Sequence, residues 1–179
     1  MGILRGLIFA VGLTLVIVMR KLSAPQDSVL GRLAGSGTFV DIARHPQAEQ
    51  IPHLLVFRPN GMLFFANANR IRNHLRKLTS SADVPLHAVV INLEASPEID
   101  LTSLEMLQQL RSELEESGIT LYFARVSDRV SDLFDRSGLA ERVGSNRIFS
   151  GVDLAVDAFL TGGSTSERGR TEKLDQAHV

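Results

Sequence analysis

The feature that most constrains this chain is its alternation of short apolar runs with segments of helical periodicity, from His53 to about Leu160. LHAVVINLEA carries four consecutive apolar residues, Ala88 to Ile91, the pattern of a strand buried on both faces. Leu104, Leu107, Leu110 and Leu114 then recur at spacings of three and four, one stripe of a helix over about 102–117, with Gly118 as its stop. ITLYFARV reads as the next strand. SDRVSDLFDRSG reads as a helix capped at Ser127 or Asp128, RIF as a last short strand, and GVDLAVDAFL as a final amphipathic helix. Strands alternating with helices predict an α/β fold, a mostly parallel sheet with right-handed crossovers.

The start of this unit reads as a β-hairpin. HLLVFRP is β-rich, Pro59 to Gly61 is a turn signal, and MLFFAN continues as a second strand. One antiparallel strand makes the predicted sheet mixed. Asn67 or Asn69 can cap a following helix in which Ile71, Leu75 and Leu78 form the stripe. Residues 22–52, punctuated by prolines and glycines, read as a linker docked by Leu30, Phe39, Val40 and Ile42. Gly35 to Gly37 form a flexible joint in it. Residues 162–179 are polar and aperiodic, and read as a disordered tail.

The N-terminal segment is almost wholly apolar from Gly2 to Met19, apart from Arg5, and Arg20 and Lys21 follow at once. Three readings compete. A signal peptide lacks a small-x-small cleavage site here. A core helix of a soluble domain would not be apolar on every face. A membrane helix over residues 1–21, complete or cut at its start, fits best, with Arg20 and Lys21 on the cytoplasmic side.

Composition narrows the function. A net charge of -1 argues against a nucleic-acid partner. The absence of cysteine excludes disulfides and thiolate sites. No two of the five histidines stand in H-x-x-x-H or H-x-H spacing, so no metal or cofactor is expected. G-x-S-x-G, P-loop and H-E-x-x-H patterns are absent, which argues against an enzyme.

Two places remain suggestive. In PEIDLTSLEML a buried strand gives way to a helix, where ligands of open α/β sheets bind and helix N-termini favour anions. The simpler reading is a cap: Asp100 or Thr102 as N-cap, with Thr102 to Glu105 fitting a capping box. In FFANANRIR, Asn67, Arg70 and Arg72 lie in the first turns of a helix whose dipole does not call for cations. They are either a solvated face or contacts to an acidic partner or lipid headgroups.

Taken in order, Arg20, Pro25, Leu30 to Arg32, Phe39 to Ile42, Arg58 and Leu63 to Ala68 (the phrase LFFANA) resemble the junction between membrane and cytoplasmic parts in sulfate permeases of the SulP family. Residues 53–161 resemble their STAS domain, the module also found in anti-sigma-factor antagonists. That resemblance implies a mixed sheet of four to five strands with helices mainly on one side, preceded by a membrane helix. It further implies a regulatory or assembly role on the cytoplasmic face of the inner membrane. The implied partners are a permease membrane domain in the same or a separate chain, a kinase or other regulatory protein, and a nucleotide; self-association is compatible with it. The family's loop D-[ST]-[ST]-G is matched by Asp100 and Thr102 and departed from by Leu101 and Ser103. Thr102 is thus the implied phosphorylation position, with Asp100 and Ser103 beside it. The alternative implied is a free-standing phospho-switch.

Overall fold

The computed structural model describes residues 2–22 and 27–162. A single sheet of seven strands organises the chain after the N-terminal helix. In chain order the elements are α1 (Gly2–Leu22), β1 (Asp27–Leu33), β2 (Phe39–Asp41), β3 (Ala48–Glu49), β4 (Leu54–Pro59), α2 (Phe65–Ser80) and β5 (Ala88–Asn92). Then come α3 (Leu101–Glu116), β6 (Thr120–Ala124), α4 (Asp128–Arg136), α5 (Leu139–Val143), β7 (Ile148–Phe149) and a last helix, α6, over 152–162.

The strands run in the order β2-β1-β4-β5-β6-β7, with β3 also paired to β1. β4, β5, β6 and β7 are mutually parallel, and β1 is antiparallel to β2, β3 and β4. Alternation along each strand sorts the core into two layers. Leu55 and Phe57, Val89 and Ile91, and Leu121 and Phe123 face α2, α3, α4 and α5. Leu54 and Val56, Ala88 and Val90, and Ala124 face the other way, where Val152, Ala155 and Val156 of α6 cover them. Helices therefore lie mainly on one side, and β5 is buried along its whole length because both its faces are covered. The leucine stripe of α3 is buried at all four positions. Phe123 and Phe134 pack with ring centroids 5.0 Å apart; both are fully buried, each side chain contributing about 1.5–3 kcal/mol.

The predicted hairpin does not form. After β4 the chain turns, and Phe65 already opens α2. Two phenylalanines lend MLFFAN β character, but of its large apolar side chains only Leu63 is buried, and Met62 and Phe65 are exposed. The helix starts early because Asn67 Oδ1 accepts the Phe64 amide at 2.9 Å and Asn67 Nδ2 donates to the Met62 carbonyl at 2.8 Å. Asn67 thus serves the reciprocal half of a cap from inside the first turn, and Asn69 is exposed on the helix.

The antiparallel strands come instead from residues 27–49, within the expected linker. This raises the sheet from the expected four or five strands to seven. The register leaves no room beside Gly31, where a Cβ would meet the Glu49 carbonyl oxygen and Ile42 Cγ2, each at 2.9 Å. Ser28 Oγ donates to Asp41 at 2.6 Å and accepts from Asn60 Nδ2 at 2.7 Å, tying β1 to β2 and to the turn after β4. His74 of α2 bonds Asp27 at the head of β1.

The N-terminal helix forms, and its side chains from Leu4 to Val18 are all exposed. The expectation of a membrane helix is corrected in one respect: among the described residues no helix is long and apolar enough to cross a membrane. Arg5 interrupts the segment near its start and Arg20 and Lys21 close it. The uncharged part, 6–19, rises roughly 21 Å against a hydrocarbon core of ~30 Å. The expected tail lies outside the described residues except Gly162, which ends α6.

Candidate functional site: the loops at the carboxyl edge of the sheet

Because β4, β5 and β6 are parallel, their carboxyl ends share one edge, and three loops gather there: 60–64, 93–100 and 125–127. The middle loop is fastened on both sides. Ser96, fully buried, accepts the Leu63 amide at 3.0 Å. Ser127 Oγ donates to the Pro97 carbonyl at 2.7 Å. Arg125 pairs with Glu94 at 3.3 Å, and Arg129 pairs with Glu98. Arg125 holds φ = 52°, a left-handed conformation uncommon for a residue with a Cβ, at the point where β6 leaves the sheet.

Asp100 is the centre of the arrangement. Its Oδ1 accepts the Ser103 amide at 2.8 Å, which makes it the N-cap of α3. Its Oδ2 accepts the Phe65 amide at 2.7 Å, at the first residue of α2. One carboxylate therefore sits at the positive ends of two helices. Burial works against its charge, but the nearby Ser103 hydroxyl and the bonds from the Ser103 and Phe65 amides prevail, and the carboxyl lies below its ordinary value. Ser103 Oγ acts by its nearness, since it makes no well-formed hydrogen bond of its own. The anion position that a strand-to-helix loop offers is occupied here by the chain itself.

This settles the cap between the two sequence alternatives: Asp100 is the N-cap, and Thr102 lies in the first turn of α3, so the capping box from Thr102 to Glu105 does not form. Thr102 is exposed and Ser103 is fully buried. Asn67 supports the same corner from α2. Arg70 is exposed on α2, whereas Arg72 turns to α3, bonding Gln109 and lying 4.0 Å from Glu113. Arg76 joins the same carboxylate at 2.8 Å. Arg72 is thus a bridge between helices, and the expected pair of outward arginines is not brought together. Sequence reasoning missed Ser96, Phe65 and the Arg125–Glu94 pair. Serine in a loop carries no signal of burial, and a backbone amide none of its partner.

The profile of the STAS domain matches residues 45–155. A probable sulfate transporter of Mycobacterium tuberculosis is 35% identical over 159 residues, covering 89% of this chain and 28% of that protein. The chain thus spans little more than a quarter of the length of that curated relative. Among solved structures, the murine Slc26a9 anion transporter in its inward-facing state superposes with a TM-score of 0.74 at 18% identity, over 85% of this chain and 25% of that one. The STAS domain of a SulP transporter from Vibrio cholerae gives 0.52 at 18% identity, over 69% and 94%. At such identities the likeness is one of fold, a mixed α/β sheet with helices. The profile match over most of the chain and the shared fold together place this chain in the STAS-domain family, among relatives that are sulfate transporters.

Proposed function

We propose that this chain is the regulatory and assembly module of a sulfate-permease-type secondary anion transporter. It works against a membrane domain in the same or a separate chain, on the cytoplasmic face of the inner membrane, and performs neither transport nor catalysis by itself. The observation that carries the reading is the 35% identity with a probable sulfate transporter, running through 89% of this chain yet only 28% of the relative. The wholly exposed apolar side chains of α1 support it, since such a surface is stable only against lipid or apolar protein. The test is to co-express the full chain with the membrane domain of a sulfate transporter deprived of its own STAS region. Co-purification and a changed rate of sulfate uptake are expected. Neither association nor any effect on uptake would overturn the proposal.

A second reading, a phospho-switch that binds a regulatory protein, is favoured by one observation: Thr102 is exposed at the head of α3 while its neighbour Ser103 is sealed. A phosphate on Thr102 would bring about two negative charges beside Asp100, setting up repulsion at the corner that joins α2 and α3. Incubation with kinases from a related bacterium and mass spectrometry tests it. Phosphate on Thr102 alone is expected, and an unmodified Thr102 would remove this reading.

A further inference from the structure

The opposite, amino edge of the sheet carries a cavity of about 200 Å³ that none of the roles above uses. It opens where α3 ends and β6 begins, and its far wall is α5 with the turn Ser145–Arg147. The floor is apolar, formed by Ile119, Leu121 and Val143. Two guanidinium groups and one carboxylate stand around it.

The charges are not equivalent. Arg111 is held on both sides: its Nε donates to the Arg142 carbonyl at 3.0 Å, and its Nη2 pairs with Glu115 at 2.8 Å. Arg111 thus already satisfies Glu115 and the Arg142 carbonyl of α5. Arg147, across the cavity, is different. The turn begun at Gly144, with φ = 96°, carries it to the rim, yet its side chain makes no hydrogen bond or ion pair among the described residues. The walls therefore hold one unmet positive charge above an apolar floor. The backbone amides of Gly118, Ile119 and Thr120 are already spent on Glu115, Leu114 and His87, so any new anion must be held by a guanidinium.

These features select a ligand. A guanidinium fork matches a carboxylate in bidentate geometry. The apolar floor suits a short hydrocarbon stem and gives nothing to a fully hydrated inorganic ion. The volume lies below the ~300–1,000 Å³ of pockets for drug-sized molecules, which leaves out a nucleotide. A single unmet charge is balanced by a single negative one.

We propose that the cavity between the end of α3 and the Ser145–Arg147 turn binds a small organic monocarboxylate, with Arg147 taking the carboxylate and Ile119, Leu121 and Val143 the stem. The test is a titration of the 15N-labelled full chain, held in a mild nonionic detergent, with sodium butyrate, and with sodium sulfate, sodium chloride and GTP at matched ionic strength. Saturable shifts of the Gly118 to Leu121 amides are expected with butyrate alone. Arg147→Gln should weaken binding about tenfold, and Glu115→Gln, which frees Arg111, should strengthen it several-fold. A merely damaged fold would weaken binding in both variants. The proposal is overturned if butyrate gives no saturable shift, if sulfate or GTP shifts the same amides equally, or if Arg147→Gln binds as the parent does.

Discussion

The carboxylate of Asp100 accepts the backbone amide of Phe65 at 2.7 Å, across 35 residues of sequence, while it caps its own helix through Ser103. One side chain thus ends two helices and fixes the distance between the loop after β4 and the loop after β5. Whatever meets Thr102 also meets this corner.

Removing the carboxylate should loosen both helices at once. A single N-cap contributes about 1 kcal/mol, so Asp100→Ala is expected to cost about 2 kcal/mol in urea unfolding at neutral pH. Asp100→Asn keeps one acceptor oxygen and should cost about half as much. Equal stability of Asp100→Ala and the parent would contradict the double cap.

The pH dependence has a defined sign. Asp41 is held below its ordinary value of 3.8 by the Ser28 hydroxyl, against some burial, with help from the Ala43 amide and from Arg44 and Arg58. Asp100 is lowered as well. Groups with a depressed folded pKa stabilise fully above the unfolded value and lose that stabilisation as pH falls through the folded one. Stability should therefore hold down to about pH 4 and decline below it. The gap between Asp100→Ala and the parent should close in the same range, as urea midpoints measured from pH 6 to pH 2.5 would reveal.

Gly31→Ala probes the region that had read as a linker. Its Cβ would press on the Glu49 carbonyl, which is backbone and yields little, and on Ile42. A destabilisation of about 1–3 kcal/mol is expected, with faster amide exchange at Arg32 and Leu33, which pair with β3. A true linker would tolerate this change without loss.

Ser96→Ala should cost about 1–3 kcal/mol, because the Leu63 amide, beside a fully buried side chain, loses its acceptor. Ser96→Thr, which keeps the hydroxyl but adds a methyl group where the side chain is wholly enclosed, should also destabilise. Comparing the two by thermal unfolding separates the lost bond from crowding.

Much of this architecture was legible in the chain. The apolar run Ala88 to Ile91 and the leucine stripe of α3 could be buried in only one way each, because periods of two and of 3.6 are local properties of the backbone. The candidate loop at Asp100 was legible as a helix start for the same reason. The strands at 27–49 were not. β2 and β3 are three and two residues long, too short for alternation to rise above noise, and they exist because β1 supplies their partners. MLFFAN misled in the opposite direction, since its aromatic residues favour a strand that no neighbour is there to pair.

Residue type and spacing within a few turns were enough to set the alternation of strand and helix after β4, the buried faces of β5 and α3, the apolar helix at the start and a helix beginning between Asp100 and Thr102. It took the folded structure to show that Asp100 also holds Phe65, that Arg72 turns inward to α3, that Ser103 is sealed while Thr102 is not, and that Arg147 faces a cavity with no partner among the described residues. Each of these depends on residues far apart in the chain meeting across the sheet, and hydrogen bonding and burial between distant segments leave no periodic trace in the sequence that makes them.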